Sequence, residues 1–341
     1  MGRSLSDLIV FILKRLLQLI PVVLGVMILT FFFTHLNLQD VCNAWYPHAS
    51  AATLRNCETT INQPIAYQFG QYLTNLAHGN WGTDQLGNPV YPVIAADVPA
   101  TLELVLTSLF LMVIIGIPLG VIAAQFGGRW PDHLVRVFYL SGWATPTYLG
   151  AVIAAVFLGP ALGLPTRGQF STNAIPFAQP THMSVVDSLL ALNLPYTADA
   201  VSHLILPATV LAFINMGIAT RMTRSSMLEV LPLDYVRSAR MKGLTEFWVL
   251  YKHALRNALI TTTTVLGITA GGLLSGTVVV EEVFVWGGIG QYAYVAIGGG
   301  GSNQNFAGAE AVVIVFAVGV VLANLAADIL YGLLDPRVDW R

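Results

Sequence analysis

The amino-acid sequence predicts an all-α, polytopic membrane protein with about six transmembrane helices, on the basis of its composition and its apolar runs. Only 10% of the 341 residues are charged and 55% are hydrophobic, whereas roughly 25% of a typical soluble domain is charged. An apolar run of about 20 residues can cross a bilayer as a helix. Six runs approach or exceed this length: 16–36, 101–124, 134–160, 204–222, 258–280 and 306–334.

The fourth run, 204–222, is the least regular, because Pro207, Asn215 and Gly217 interrupt it. Membrane helices tolerate Pro and Gly where neighbouring helices satisfy the freed backbone groups, so we expect this run to span as well. The first run is longer than the apolar core of a cleaved signal peptide, and no small-x-small cleavage site follows it. We therefore expect it to remain as the first helix.

The distribution of Lys and Arg predicts the orientation, because basic residues near helix ends accumulate on the cytoplasmic side. With the N-terminus inside and six crossings, only Arg55 and Arg167 of the 16 basic residues fall in outside segments. We therefore predict that both termini are cytoplasmic. Residues 1–15 would form the cytoplasmic N-terminus, and residues 37–100 an external loop.

Two cysteines, Cys42 and Cys57, lie in the predicted external loop. An oxidising compartment would favour a disulfide between them, whereas a reducing or anaerobic habitat would leave two free thiols. No metal site is expected, because His35 and His48 show none of the regular spacings of zinc ligands. Over residues 64–78, apolar side chains recur at helical spacing, which predicts a short amphipathic helix.

Pairs of glycines four residues apart occur in two of the predicted spans. They are Gly116 and Gly120 in the second span, and Gly267 with Gly271 and Gly272 with Gly276 in the fifth. Such pairs let two helix backbones approach closely in lipid, although membrane helices are also rich in glycine for no specific reason. We expect the fifth span to lie at a seam between helices.

Residues 234–256 form a basic, polar segment inside an otherwise apolar chain. Asp234 is expected to cap a helix through its carboxylate, and Gly243 to end that helix in a left-handed conformation. Arg237 and Arg240 flank one face of the helix. That face is formed by Tyr235, Val236, Ala239 and Gly243. A small residue at the centre of an apolar face suits insertion into a groove on a partner, and a solvated surface helix is the alternative.

This segment resembles the cytoplasmic loop of type I ABC-importer permeases, whose general pattern is Glu-Ala-Ala, three further residues and Gly. When the two are aligned on Gly243, Ala239 also matches, whereas Arg237 and Ser238 depart from the pattern. The run from residue 234 to 244 reads Asp-Tyr-Val-Arg-Ser-Ala-Arg-Met-Lys-Gly-Leu. It closely resembles the peptide and nickel branch of the family.

The resemblance extends over most of the chain. Further branch-like segments lie at residues 100–104, 116–124, 221–231, 253–259, 282–290 and 328–337. Gly287 stands where the family usually has a proline, which is expected to loosen that turn. The segments 37–65 and 161–200, both predicted to be external, diverge from the family.

The resemblance implies a single type I ABC-importer transmembrane domain over residues 16–341, with a cytoplasmic coupling loop at 223–257. It implies a permease subunit of an ATP-driven importer for di- or oligopeptides in the cytoplasmic membrane of a bacterium or archaeon. The implied partners are a second, related permease, two cytoplasmic ATPases that bind ATP and Mg, and an external substrate-binding protein. The residues that would dock an ATPase are Asp234, Tyr235, Arg237, Ala239, Arg240 and Gly243.

The chain contains no Gly-x-x-x-x-Gly-Lys-[Ser/Thr] phosphate-binding loop, so we expect neither enzymatic activity nor a cofactor in this chain. Its expected surroundings are the lipid bilayer and protein partners, not nucleic acid. A permease for nickel chelates or another small solute is a sibling alternative, although no Cys/His cluster in the spans favours nickel. A carrier working alone would more often show inverted repeats and ionisable residues at mid-membrane.

Glu281 and Glu282 follow the glycine-rich fifth span at its predicted external end. A carboxylate at the mouth of a cavity would attract the N-terminal ammonium of a free peptide, most strongly where water is partly excluded. The alternative is that these acids only mark the emergence of the helix into water. In that case we expect the substrate path among polar groups such as Thr145, Asn215 and Thr269.

Overall fold

The computed structural model describes residues 5–37, 42, 50–84, 87–172, 175–298 and 305–334. The helices are α1 Leu5–Asn37, α2 Ala51–Ile61, α3 Ile65–Ala77, α4 Val90–Gln125, α5 Trp130–Ala144, α6 Thr147–Ile153, α7 Gly159–Leu162, α8 Ser184–Leu190, α9 Leu194–Val230, α10 Asp234–Met241, α11 Glu246–Trp248, α12 Leu255–Phe284, α13 Ile289–Ala296 and α14 Phe306–Leu334. Two π-helical turns, Ala154–Leu158 and Val249–Ala254, join α6 to α7 and α11 to α12. The all-α fold class is confirmed.

Within the described residues, five helices are long and apolar enough to cross a membrane, and a bent pair raises the number to six. The five stretches are Ile9–Phe32, Val90–Gln125, Leu194–Val230, Glu246–Phe284 and Phe306–Ile329, and the bent pair is Trp130–Ala144 with Thr147–Leu162. Each predicted apolar run coincides largely with one of these spans. The prediction of about six transmembrane helices is therefore confirmed.

The third run, 134–160, is not the single straight helix that its composition predicts. Its two parts meet at an angle of 103°. Pro146 stands at the break, and Thr145 before it has extended backbone with φ −82° and ψ 119°. Proline lacks a backbone N–H, and its ring disfavours the α conformation in the residue before it. The helix α5 therefore ends at Ala144.

The fourth run, 204–222, is by contrast part of one uninterrupted helix, α9, which contains Pro207. Pro207 is buried. The helix packs against α4, α5 and α12, and such neighbours allow a membrane helix to continue through a proline. The helix that looks least regular in the sequence thus lies at the centre of the bundle.

Helices make up much of the described part of the predicted external loop 37–100. The helix α1 continues to Asn37, α2 and α3 fold within the loop, and α4 begins at Val90. The amphipathic helix expected over 64–78 is confirmed as α3. The predicted N-terminal segment 1–15 is described only from residue 5, and residues 335–341 lie outside the described residues.

An aromatic cluster and a disulfide organise the region of α2 and α3. Tyr72 of α3 lies with its ring centroid 5.4 Å from that of Phe31 in α1 and 6.0 Å from that of Phe69. Cys42 and Cys57 are joined by a disulfide, with Cα atoms 5.7 Å apart. The structure thus contains the pairing that the sequence leaves open, and it ties α2 to the residue at position 42.

The first and last spans lie side by side and run antiparallel. Arg15 and Asp328 form an ion pair of 3.1 Å near one end, while Phe31 shares a hydrophobic cluster with Ala311 and Val312 near the other. The helix α1 therefore begins, and α14 ends, at the same end of the bundle. We call this the basic end, which includes residues 126–132 and 224–252. The distal end includes residues 163–193 and 285–298.

The glycine pairs occupy two different seams. Gly267 and Gly271 of α12 face Ala327 and Val320 of α14, so closely that an added Cβ at Gly267 would overlap Ala327. Gly116 and Gly120 of α4 face residues 216–223 of α9 at similarly close range. Gly272 faces open space, so the second pair in α12 does not form a close seam. The fifth predicted span is thus packed on the last helix through one of its two glycine pairs.

Candidate functional site

The segment between α9 and α12 contains a short helix that ends at a glycine, as the sequence predicts. The helix α10 spans Asp234–Met241, and Gly243 has a φ of +76°, the left-handed conformation that ends many helices. The predicted capping role of Asp234 is wrong. Leu233 is the N-cap, and Asp234 is the first helical residue and makes no capping hydrogen bond. Its carboxylate still lies in the first turn, where it suits the positive end of the helix dipole.

The central part of the apolar face of α10 is covered within the chain. Val236 and Ala239 are buried and share a hydrophobic cluster with Val249, Leu250 and Ala254 of the π-helical turn. Ala239 is therefore not free to enter a groove on another protein, which corrects the predicted use of this face. Periodicity identifies an apolar face but not its cover, because intramolecular and intermolecular partners require the same pattern.

A second apolar surface beside α10 is exposed. It consists of Met241, Leu244, Phe247 and Trp248, which we call the apolar platform, and Met241 is 81% exposed. Phe247 stacks on Tyr251 with ring centroids 4.7 Å apart. Sequence reasoning missed this surface. The available signal was four large apolar side chains within eight positions of a segment that is otherwise polar.

Polar contacts fix α10 against its neighbours. Arg240 donates two hydrogen bonds to Glu246, at 2.8 and 3.2 Å, and this pairing raises the pKa of the Arg240 guanidinium above its usual value. Asn257 at the start of α12 donates a hydrogen bond of 2.6 Å to the Tyr235 hydroxyl. Arg237 is exposed. Of the four polar residues expected to dock a partner, two, Tyr235 and Arg240, are thus also bound to groups of this chain.

A buried carboxylate ties α5 to α9 at the basic end. Asp132 is fully buried, and Arg224 of α9 donates to both of its oxygens at 2.7 and 2.8 Å. Arg136 donates at 2.7 and 3.1 Å, and the backbone N–H of Gly128 donates at 2.9 Å. Charge-assisted bonds of this kind are stronger than neutral ones. The only sequence signal for this ion-pair cluster was the four-residue spacing of Asp132 and Arg136.

Glu281 holds a comparable position at the distal end. It is 0% exposed, and it accepts hydrogen bonds from the Thr101 hydroxyl at 2.7 Å and from the backbone N–H of Gln291 at 3.1 Å. The same Thr101 hydroxyl oxygen accepts a bond from the N–H of Ile289 at 2.9 Å. The carboxylate thus joins α12, α4 and the start of α13. This geometry favours the structural alternative for Glu281, because the group does not open onto a cavity.

Glu103 of α4 plays a similar part for another distal helix. Its carboxylate accepts bonds from the N–H groups of Ser184 and Val185 at 2.8 and 2.9 Å, and so binds the start of α8. Glu282 differs, because it is half-buried and its Oε2 atom has no hydrogen-bond partner within the described part of the chain. Of the two predicted substrate-path glutamates, Glu282 is the one with a carboxylate oxygen left unoccupied.

The three polar candidates for the path lie on different elements. Thr145 stands at the bend after α5, Asn215 lies in the middle of α9, and Thr269 lies in α12. Each side chain donates to the carbonyl four residues earlier, at 2.7, 2.9 and 2.8 Å respectively. Thr145 and Asn215 are half-buried and Thr269 is buried. Only Thr145 lies where the helical backbone is broken.

Comparisons with known proteins agree with this architecture. Residues 116–340 match the family described as binding-protein-dependent transport system inner membrane component. The chain is 38% identical, over 95% of its length and 96% of the relative's, to a probable D,D-dipeptide transport system permease protein of Escherichia coli. It is 35% identical to a dipeptide transport system permease protein of Alkalihalophilus pseudofirmus, over 98% of this chain and 100% of that one.

A glutathione transport system permease protein of Salmonella paratyphi A is 33% identical over 97% of this chain and 99% of its own length. Among solved structures, an inward-facing conformation of the MetNI methionine ABC transporter superposes with a TM-score of 0.54. It covers 71% of this chain and 96% of that one, at 18% identity, so this likeness shows the fold alone. The chain therefore belongs to the family of binding-protein-dependent transport system inner membrane components, as a multi-pass permease of the type I ABC-importer class and of its peptide-transport branch.

Proposed function

We propose that this chain is one of two permease subunits of an ATP-driven importer for di- or oligopeptides. Relatives that match nearly the whole chain carry names of dipeptide and di/tripeptide transport permeases. The second permease, the two ATPases that bind ATP and Mg, and the external binding protein would be separate chains. The experiment is uptake of labelled di- and tripeptides into proteoliposomes that contain the complete complex. Uptake of a nickel chelate and not of peptides would contradict the peptide substrate and support the alternative of a nickel-chelate permease.

In this proposal the basic end faces the cytoplasm. The residues of the two ends differ in charge: Arg129, Arg136, Arg224, Lys242 and Lys252 all lie at the basic end. Because basic residues near helix ends remain on the cytoplasmic side, this distribution supports a cytoplasmic position for α1's first residues and α14's last residues as well. The disulfide Cys42–Cys57 would then lie in the extracytoplasmic space, where an oxidising compartment preserves it.

The observation that carries the coupling role is the apolar platform beside α10. Four large apolar side chains exposed at the basic end are costly in water and suit a protein partner. The proposed docking surface therefore combines the platform with the exposed side chains of α10, including Asp234, Tyr235, Arg237 and Arg240. The turn at Gly243 sets the position of the platform relative to α10. Ala239, on the buried face, attaches α10 to the bundle.

Two attachments would transmit a movement of the ATPase into the bundle. The buried face of α10 packs on the π-helical turn that leads directly into α12. The ion pair between Arg224 and Asp132 joins the end of α9 to the start of α5. Movement of α10 would therefore act on three membrane helices together, which is the geometry that a lever between ATP hydrolysis and the transport path requires.

The docking surface is tested by Met241→Asp, with Leu192→Asp as the matched control. Leu192 is 88% exposed at the distal end, so its substitution introduces the same charge far from the proposed interface. We expect Met241→Asp to reduce co-purification of the ATPase and peptide-stimulated ATP hydrolysis about tenfold, because a desolvated carboxylate costs more than about 1.4 kcal/mol. Equal behaviour of the two variants would rule out the platform as the docking surface.

A further inference from the structure

The bend between α5 and α6 lies near the middle of the central helix. The helix α5 runs antiparallel to α9: Asp132 contacts Arg224, Tyr139 faces Gly217, and Gly142 faces the carbonyl of Phe213. Phe213 is close to the centre of α9, which spans Leu194–Val230. The break at Thr145–Pro146 therefore occurs about halfway along a membrane-crossing helix, and not at its end.

Broken backbone at this depth restricts what can lie beside it. Non-helical backbone within a bilayer is tolerated only where it is buried in protein or lines a water-filled cavity. Trp143 is 45% exposed and Tyr148 is 65% exposed, so this chain alone does not bury the bend. The bend must then face a second subunit, an aqueous path or both.

An arginine without an acidic partner reaches toward this bend. The Arg221 guanidinium carbon lies 4.9 Å from the centroid of the Trp143 ring, and Arg221 is exposed. Within the described residues it forms no ion pair. Arg224, one turn further along α9, has both oxygens of Asp132 as partners. The two arginines of one helix thus differ: one completes the ion-pair cluster, and the other keeps a free charge.

The contact with Trp143 places the Arg221 guanidinium beside α5. Arginine side chains near the end of a membrane helix normally extend outward, so that the charged group reaches the headgroups and water. Trp143 projects from beside Gly217, one turn before Arg221 and further from the basic end. The guanidinium therefore lies against a residue of the last turn of α5, two positions before Thr145 at the break.

A contact with an indole leaves the arginine able to bind an anion. The ring attracts the guanidinium charge but supplies no acidic group to neutralise it, so the N–H donors remain available. Those donors match a carboxylate in a bidentate geometry. Trp143 would thus restrain the guanidinium without neutralising it, which is what a transient anion-binding site in a path requires.

We propose that Arg221 and Trp143 form a station in the substrate path that binds the C-terminal carboxylate of a peptide in transit. The inference rests on the proposed peptide-import function and specifies which group of the substrate this subunit recognises. It also assigns the path to the exposed side of the α5–α6 bend and α9. Thr145 lies at the same bend, whereas Glu281 lies away from it at the distal end.

The test uses the complete complex in proteoliposomes, with a tripeptide and its C-terminal amide as the two substrates. Binding of each peptide to the isolated binding protein is measured separately, and uptake is compared with that protein saturated. We expect Arg221→Gln to lower the maximal uptake rate of the free acid about tenfold and to leave the amide rate unchanged, as loss of a charge-assisted bond predicts. Arg221→Lys should retain part of the wild-type rate for the free acid. The rate of Trp143→Leu should lie between those of the wild type and Arg221→Gln.

The matched control is Arg129→Gln, which removes an exposed arginine from the same end without disturbing the bend. If Arg221→Gln slows both peptides equally, or neither, the carboxylate station is rejected. If its effect follows the anionic lipid content of the vesicles and is the same for both peptides, the guanidinium binds a lipid phosphate and the proposal also fails. A wild-type complex that transports no peptide would instead reject the proposed function itself, so the two failures are distinguishable.

Discussion

The two ends of the bundle solve one packing problem with different chemistry. At the basic end, fully buried Asp132 joins α5 and α9 through two arginines. At the distal end, fully buried Glu281 joins α12, α4 and α13 through a hydroxyl and backbone N–H groups. Each carboxylate ties separate segments together, but only Asp132 has cations as its partners.

The difference follows from what each acid holds. Asp132 lies in the first turn of α5, where it also accepts a bond from the backbone N–H of Gly128. Its partner on α9 lies inside that helix, where the backbone N–H groups bond internally, so only a side chain such as Arg224 can donate across. Glu281 lies near the end of α12 and faces the start of the short helix α13, where the first backbone N–H groups have no partner within the helix. A carboxylate there completes the helix end without a cation. Acids at the ends of membrane helices therefore need not mark a substrate path.

Asp132→Asn should be the most destabilising change. An amide cannot balance Arg224 and Arg136, and removing one partner of a buried ion pair typically costs several kcal/mol. Because Arg136 is 36% exposed, water offsets part of the loss, and we expect about 3 kcal/mol. Denaturant unfolding of the purified chain in detergent measures this.

Glu229→Gln provides the control for that prediction, since Glu229 is exposed at the same end and should change stability little. A similar small effect for Asp132→Asn would mean that the arginines find other partners. In that case the contrast between the two ends would disappear.

Glu281→Gln should cost less, about 2 kcal/mol, because the change weakens hydrogen bonds but leaves no cation unpaired. The same unfolding measurement applies. Uptake of free and N-acetylated peptides by the same variant then shows whether Glu281 has a structural role or binds the N-terminus of the substrate. If this variant keeps wild-type stability and loses the preference between those peptides, Glu281 contacts the substrate and its structural role is wrong. Glu282→Gln, assayed in parallel, tests the glutamate whose Oε2 is unoccupied.

Gly243→Val should have the smallest effect on stability and a larger one on coupling. An added side chain meets open space at this position, so the cost comes from the positive φ, at about 1 kcal/mol. We expect the turn between α10 and the platform to shift and peptide-stimulated ATP hydrolysis to fall. Gly243→Asn is the control, because Asn tolerates the left-handed conformation. Wild-type coupling in Gly243→Val would show that the turn does not position the docking surface.

Local physical rules account for the parts of the structure that could be predicted. The six apolar runs, the amphipathic helix at 64–78 and the left-handed Gly243 all depend on nearest neighbours in the chain, and each is present in the structure. The π-helical turns, the length of α4 and the helix α2 were not predicted, because their boundaries are set by packing against other elements. The family resemblance could be recognised in the sequence because its motifs are contiguous in the chain.

The sequence by itself determined the membrane class, the spans and the family, because hydrophobic burial and short motifs are properties of local composition. Only the tertiary structure decided how Ala239 is covered, that Glu281 is enclosed, and that Arg224 is neutralised while Arg221 is not. These outcomes depend on residues up to about two hundred positions apart, such as Thr101 and Glu281. Charge and polarity are visible in a sequence, but whether a charged group has a partner depends on distances that only the fold sets.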